Sequence, residues 1–302
     1  MFSSIECPAQ QAAQAEPYLA LLRKVLHEQE EWVKVHAAEY LIWAGHAEGV
    51  KAEFLNEEEH HGNKPQYRVG IWRVLAQLAE NESEKLVWLN KMKAAFLDPN
   101  GPDRIHAAET LAKLRISPLA EAPDVTSEAL KSDVPALALY TLWATAFDSP
   151  NQLEKVKMEL IKNLTPLSDS EAPIKSISAY ALRQLGGLNN RQWQQLAAAA
   201  LHEQESLSAK VFMLSAAWLT AADSSDIKLV PIKSGLLKYH SAKTKGERSE
   251  MAMALAGKGG TEDLQVLTDL FENKQPLADA AADYDVMAAA AFAILEINKR
   301  AN

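Results

Sequence analysis

The feature that most constrains the fold is a short segment that recurs along the chain. It occupies residues 33–45, and a recognisable variant of it returns every 31 to 40 residues. The copies at 35–41 and 105–111 agree at five of seven positions. Recurrence of one amphipathic segment at such a period is typical of repeat proteins, in which each unit packs against its neighbours. The sequence therefore predicts a chain of similar units.

The apolar residues inside each unit have helical spacing. In the first copy Val35, Ala38, Leu41 and Ile42 form one stripe, and Gly45 follows as a residue suited to a helix C-terminus. Strict alternation of apolar and polar residues, which would indicate strands, is absent. We therefore predict an all-α fold.

Loop and capping residues divide the chain into pairs of antiparallel helices. Pro135 and Pro150 stand at predicted helix starts, and Ser149 is suited to be the N-cap of the helix that opens at Pro150. About eight pairs result. They are 18–30 with 33–44, 48–59 with 66–80, 83–97 with 103–114, 128–130 with 134–147, 153–164 with 174–185, 193–201 with 207–220, 227–239 with 248–256, and 262–271 with 286–298.

The second helices of these pairs resemble a known repeat family. Segments 104–114 (RIHAAETLAKL) and 174–186 (IKSISAYALRQLG) are similar to HEAT repeats of the short bacterial type named after phycobilin lyases. The resemblance implies one right-handed α-α superhelix, an armadillo-like solenoid over residues 17–302. It also implies that the inner helices line a concave, partner-binding face. A shared packing pattern carries no activity with it.

Charge and hydropathy exclude two kinds of partner. The chain has 31 basic and 40 acidic residues, a net charge of −9, whereas nucleic-acid binding depends on a concentrated positive face. No stretch approaches the ~20 consecutive apolar residues that span a bilayer. We expect a soluble protein that binds no nucleic acid and has no membrane span.

The N-terminal residues 1–16 are predicted to be a flexible tail. They lack the charged start and apolar run of a signal peptide. The single cysteine, Cys7, excludes an internal disulfide framework and is compatible with either a cytoplasmic or a periplasmic location.

Alignment of the inner helices places polar side chains in one recurring slot. A buried slot would be apolar, so charged and hydroxyl-bearing residues there predict a ridge that faces the concave groove. Trp43 lies one helical turn after Glu39, the first residue of this ridge, on the same helix. The predicted ridge consists of Glu39, Trp43, Arg73, Glu109, Tyr140 and Tyr180.

Two His-Glu pairs on these helices are weak metal candidates. His36 with Glu39, and His106 with Glu109, have the i,i+3 spacing that puts both side chains on one helical face. Each pair offers only two ligands, and the pairs lie two repeats apart, so they cannot share one ion. We expect both histidines to be framework residues, with no metal and no cofactor.

A second set of His-Glu pairs resembles an enzyme family. His27-Glu28 and His202-Glu203 are similar to the dyads of the HEAT-repeat iron enzyme deoxyhypusine hydroxylase, which needs four such dyads on inner helices. Here both fall on outer helices. No phosphate-binding loop, nucleophile elbow or CxxC pair occurs.

These observations favour a non-enzymatic scaffold that binds a protein or peptide along its concave face. Seven tryptophans leave an alternative open, a carbohydrate-associated or small-molecule module, because aromatic rings stack on sugars. A chromophore-lyase-like or metal-dependent HEAT-repeat enzyme is a second alternative. The chromophore-lyase alternative rests on the repeat type alone, and the metal-dependent one on the His-Glu pairs.

Overall fold

A computed structural model describes residues 8–164, 172–202, 207–222 and 225–301, with the backbone only for 8–12 and 207. Within these ranges the protein is all-helical and contains no strand. The all-α prediction is thereby confirmed.

The helices follow the predicted pairs closely. In chain order they are α1 Pro8–Glu28, α2 Glu31–Ala44, α3 Val50–His61, α4 Tyr67–Gln77, α5 Glu82–Leu97, α6 Arg104–Lys113, α7 Pro123–Leu130, α8 Pro135–Thr145, α9 Pro150–Lys162, α10 Ala172–Leu185, α11 Asn190–Leu201, α12 Leu207–Thr220, α13 Leu229–Leu237, α14 Lys245–Lys258, α15 Leu264–Phe271 and α16 Ala280–Ala301.

Local chemistry explains many of these boundaries. The Ser149 hydroxyl accepts a hydrogen bond from the Gln152 amide at 3.2 Å, so the predicted N-cap of α9 is confirmed. Asn189 caps α11 in the same way, and its own backbone N–H donates a hydrogen bond to the side-chain oxygen of Gln192. Gly45 ends α2 with a φ of 85°, a left-handed conformation that glycine adopts without strain.

Contacts between helices divide the chain into two compact units. The terminal unit contains Met1–Leu55 and Leu237–Asn302, and the central unit contains Asn56–Leu236. One continuous solenoid over residues 17–302 stays a prediction.

The terminal unit is built around its last helix. α16 packs against α14 and α15 before it in the chain, and also against α1 and α2 from the other end. Residues 288–291 and Ala293 of α16 are alanines with no exposed surface. Such small side chains let neighbouring helix axes approach closely, and a helix surrounded in this way needs no polar face.

The central unit stacks alternate helices. α4 packs on α6, α6 on α8, α8 on α10 and α10 on α12, while α5, α7, α9 and α11 pack beside members of this row. We call these five helices the central row. Each of them, α4, α6, α8, α10 and α12, is the second helix of a predicted pair.

The first helix begins earlier than predicted. α1 starts at Pro8, so residues 8–16, predicted to be tail, are helical, and Pro17 lies inside the helix. The segment is rich in Ala and Gln, which favour helix strongly enough to continue past a proline that removes one hydrogen bond. Residues 1–7, including Cys7, lie outside the described ranges.

A helix that crosses a membrane is long and mostly apolar. Among the described residues, no helix combines the length and apolar character that crossing a bilayer requires.

Candidate binding site on one face of the central unit

The predicted ridge is distributed over both units. Glu39 and Trp43 lie on α2 in the terminal unit. The other four residues lie in the central unit, one each on α4, α6, α8 and α10 of the central row; they are Arg73, Glu109, Tyr140 and Tyr180.

Two ridge residues are more buried than predicted. Glu39 is 4% exposed and Arg73 is 1% exposed, whereas the charged residues in this slot predict that it faces the groove. The predicted exposure is wrong at these two positions, because a charged side chain can be buried when hydrogen bonds and opposite charges compensate it. Nη1 of Arg73 donates to Oγ1 of the fully buried Thr110 at 3.3 Å.

Glu109 and Lys113 form an ion pair on α6. Nζ of Lys113 lies 2.7 Å from Oε1 of Glu109, and both side chains are partly exposed, at 24% and 19%. Burial favours the neutral acid, but the positive charges of Lys113 and Arg73 outweigh it and lower the pKa of Glu109. Glu109 is therefore ionised at neutral pH.

Two cationic side chains lie against the ring of Tyr180 on α10. Nζ of Lys113 lies 5.6 Å from the centre of its ring, and the Arg183 guanidinium lies 4.8 Å from it. Both distances are within the ~6 Å at which a cation is attracted to an aromatic face. The ring of the buried Trp143, on α8, packs edge-on against the Tyr180 ring with 5.7 Å between the ring centres. This contact restrains the Tyr180 ring.

Tyr140 supplies a hydroxyl that stays protonated. Burial, and then the negative charge of Glu109 and the neighbouring Tyr180, raise its pKa far above the usual value. At physiological pH Tyr140 can therefore donate a hydrogen bond as well as accept one.

His106 lies one turn before Glu109 and is kept neutral. Burial lowers its pKa, and the positive charges of Lys113 and Arg73 add to that effect, against the opposing charges of Glu109 and Asp103. Asp103 is itself bound by Arg68, whose Nε lies 2.6 Å from its carboxylate.

The central row thus brings together residues from four helices. We call this set the polar cluster; it consists of Arg73, His106, Glu109, Lys113, Tyr140, Tyr180 and Arg183. The sequence analysis did not predict Lys113 and Arg183 as site residues, although their spacing from predicted site residues could have indicated them. They lie four and three residues after Glu109 and Tyr180, on the same helical faces.

His36 has a partner that the sequence did not indicate. Its Nδ1 donates to the Asp285 carboxylate on α16 at 2.7 Å, and Nζ of Lys245 lies 3.2 Å from the other carboxylate oxygen. The expected neighbour, Glu39, is not this partner. Burial raises the pKa of Asp285, but the His36 hydrogen bond and the charges around it lower it more.

No metal site emerges from these histidines. Within the described ranges, no three His, Cys, Asp or Glu residues are grouped to hold a metal ion. His27 lies 3.4 Å from Glu53, and Glu203 falls outside the described ranges.

Trp43 is the exposed member of an aromatic group. It is 45% exposed, and its ring lies 5.9 Å from both Tyr40 and Phe292, which stack on each other at 5.1 Å. We call Tyr40, Trp43 and Phe292 the aromatic patch. Three other tryptophans, which lie on helices of the central row, are buried, namely Trp72, Trp143 and Trp218.

Comparison with known proteins adds no assignment. No protein-family model matches the sequence, and no curated protein matches it either.

Proposed function

We propose that this protein is a non-enzymatic repeat scaffold that binds a protein or peptide segment at the polar cluster. The observation that carries the proposal is the convergence of charged, hydroxyl and aromatic side chains from four stacked helices on one face. Binding surfaces are enriched in Tyr, Trp and Arg held on rigid elements.

The stacking of alternate helices in the central row supports the proposal that the chain is a repeat solenoid. In a HEAT-type solenoid the second helix of each pair packs on that of the next pair, as α4, α6, α8, α10 and α12 do. A right-handed superhelix of about eight pairs, with the cluster on its concave side, is what we propose for the whole chain.

Affinity capture with the full chain as bait tests the binding role. The wild type is compared with Tyr180→Ala, which removes the ring that organises the two cations, and with Arg191→Gln, an exposed position on α11 away from the cluster. We expect a partner that Arg191→Gln retains and Tyr180→Ala loses. Binding of that purified partner by calorimetry should weaken at least about tenfold in Tyr180→Ala. An identical set of captured proteins for all three chains would refute the proposal.

A second candidate function is carbohydrate binding at the aromatic patch. The exposed face of Trp43 beside two fixed rings favours it, since sugars stack on aromatic faces. Titration with a panel of oligosaccharides should change tryptophan fluorescence in the wild type, and sugar binding measured by calorimetry should persist in Trp43→Phe but not in Trp43→Ala. A signal that survives Trp43→Ala would place the sugar elsewhere. The lyase-like and metal-enzyme alternatives gain no support from the described residues.

A further inference from the structure

The solvent face of α5 is apolar and uncharged beyond its first residue, Glu82. The helix is described over its whole length; it packs on α4 and α6 of the central row, and its other face is exposed. A spacing of three and four residues puts the exposed side chains after Glu82 in one stripe along the helix. We call this set the α5 stripe; it consists of Ser83, Leu86, Val87, Asn90, Ala94 and Leu97.

Three large apolar side chains dominate the α5 stripe. Leu86 is 48% exposed, Val87 is 51% exposed and Leu97 is 42% exposed. Single exposed apolar residues are common, but a surface helix normally has charged and polar residues on the face that points away from the core. Three large apolar residues on that face form a patch of the kind that marks an interaction surface.

α9, which also packs beside the central row, has the usual pattern. It is described over its whole length, and four of its exposed residues are charged, namely Glu154, Lys155, Glu159 and Lys162. Met158 is its one large apolar residue in the exposed class. Both α5 and α9 contact two helices of the central row. The uncharged face is therefore a property of the α5 sequence and does not follow from its place in the fold.

The order of residues in the α5 stripe is complementary to itself. In an antiparallel helix pair with a two-fold axis at Asn90, residues equally far before and after Asn90 lie at the same level. Ser83 is then level with Leu97 of the second copy, and Leu86 is level with Ala94. Each level combines one large and one small side chain, which lets facing helices interdigitate. A parallel pair would set Leu86 against Leu86 and Ala94 against Ala94, with crowding at one level and a gap at the other.

Asn90 lies at the centre of this arrangement. A side-chain amide has both donors and an acceptor, so two copies that meet at the axis can hydrogen-bond to each other. Among the described residues, none is hydrogen-bonded to the Asn90 side chain. A single Asn in an apolar helix seam fixes the register and the oligomeric state, at some cost in stability.

The charges beside the α5 stripe leave this pairing unopposed. Nζ of Lys91 donates to the Glu58 carboxylate, and Nζ of Lys93 donates to the Glu121 carboxylate. Both lysines are therefore neutralised within their own chain, and the seam itself contains no charge that would have to be buried.

The size of the α5 stripe sets the strength of the pairing. α5 has 16 residues and is about 24 Å long. Stable interfaces bury about 1,200–2,000 Å² and use about 20–30 residues on each side, far more than one helix face supplies. A dimer formed through this stripe is therefore weak and depends on concentration.

We propose that the α5 stripe is a homodimer interface, in which two copies of this chain pair their α5 helices antiparallel about a two-fold axis at Asn90. This inference is independent of the polar cluster, whose residues lie on α4, α6, α8 and α10. It goes beyond the proposed function because it assigns an oligomeric state and the surface that produces it.

Sedimentation velocity of the full chain between about 10 μM and 1 mM measures the association. We expect a monomer–dimer equilibrium with a dissociation constant in that range. Leu86→Glu places a charge in the seam and should raise the dissociation constant at least about tenfold. Met158→Glu is the matched control, since it makes the same kind of change on α9 at a side chain that is 56% exposed, and it should leave the constant unchanged. Circular dichroism melts of both variants exclude loss of folding as the cause.

Cysteine cross-linking in a Cys7→Ser background tests the register. A disulfide requires Cα atoms within about 7 Å of each other. Asn90→Cys, at the axis, should form a covalent dimer on mild oxidation. Leu97→Cys should not, because its two copies lie about 21 Å apart along the helix axes. Cross-linking at both positions would indicate a parallel pair and overturn the proposal.

Two results in sedimentation would also overturn it. One is a wild-type chain that stays monomeric up to about 1 mM. The other is a dimer that Leu86→Glu forms as strongly as wild type, which would place the contact on another surface. Loss of the dimer in Leu86→Glu, its retention in Met158→Glu and cross-linking at position 90 alone would together support the proposal.

Discussion

At the scale of single residues, burial and charge compensation decide the role of each polar group. Arg73 and Glu109 occupy the same predicted slot on α4 and α6, yet Arg73 is 1% exposed whereas the Glu109 side chain is 19% exposed. The difference comes from Thr110 and the adjacent carboxylate of Glu109, which together compensate a buried guanidinium. The sequence identified the shared slot, but only the spatial neighbours of each side chain determined that Arg73 is buried and Glu109 is partly exposed.

Arg73→Ala should therefore destabilise the protein. It removes a buried side chain together with its hydrogen bond to Thr110 and its charge near Glu109. We expect a loss of roughly 2–4 kcal/mol in the free energy of unfolding, combining the cavity and the lost charge-assisted contact. Urea denaturation measures it, and the exposed Arg191→Ala serves as a matched control within about 0.5 kcal/mol of wild type. A loss no larger than that of the control would show that Arg73 contributes nothing to stability.

Asp285 should make the stability of the protein depend on acid pH. Its folded pKa is lowered below the unfolded value of 3.8, because the His36 hydrogen bond and the Lys245 charge outweigh the effect of burial. A depressed pKa contributes stability that is present above the unfolded pKa and is lost as pH falls through the folded pKa. Asp285→Asn should therefore be less stable than wild type at pH 7, and the difference should shrink below about pH 4.

Chemical denaturation at several pH values checks this expectation. Asp133→Asn, at an exposed loop position, provides the control. A difference between wild type and Asp285→Asn that stays constant from pH 7 to acid would mean that the carboxylate charge does not contribute.

At the scale of helices, most boundaries follow from local chemistry. The predicted inner helix 207–220 is observed as Leu207–Thr220, and the predicted 174–185 is observed as Ala172–Leu185. Caps, prolines and apolar spacing act over a few residues, so the sequence displays them directly. The largest differences are at the chain ends. There α1 begins at Pro8 and α16 at Ala280, earlier than predicted, in segments whose alanines give a weak apolar pattern but favour helix.

The Asn189 cap should have a measurable effect on stability. Its side-chain oxygen accepts a hydrogen bond from the Gln192 backbone N–H at 3.0 Å, and the Asn189 backbone N–H donates to Oε1 of Gln192 at 2.9 Å. Asn189→Ala should cost about 1 kcal/mol, whereas Asn189→Gly should cost only a few tenths, because glycine is itself tolerated at the N-cap. Thermal melts distinguish the two variants. Equal losses would assign the effect to something other than the cap.

At the scale of the whole molecule, the terminal unit is assembled from both ends of the chain. α16 contacts α1 and α2 although more than 200 residues separate them in sequence. A repeat pattern predicts contacts between neighbouring units, since each copy resembles the next, but it contains no information on whether the first and last copies meet.

Removing α16 should therefore destabilise helices at the opposite end of the chain. In a protein truncated after Asp279, α1 and α2 lose the helix against which they pack, including the Phe292 ring that stacks on Tyr40. We expect the amides of α2 to lose most of their protection from hydrogen exchange. Lys299→Ala, an exposed change on α16, should leave that protection intact. Unchanged exchange of α2 in the truncated chain would show that the packing of α16 on α2 does not stabilise it.

The sequence by itself determined the all-helical class, most helix boundaries and the slots that hold Glu109, Tyr140 and Tyr180. These depend on periodicity and capping, which are local properties of the chain. Only the tertiary structure decided that Arg73 is buried, that Asp285 is the partner of His36, and that Arg183 and Lys113 converge on Tyr180. Those outcomes depend on which distant helices pack together, because burial and the charges of spatial neighbours fix the state of a polar side chain.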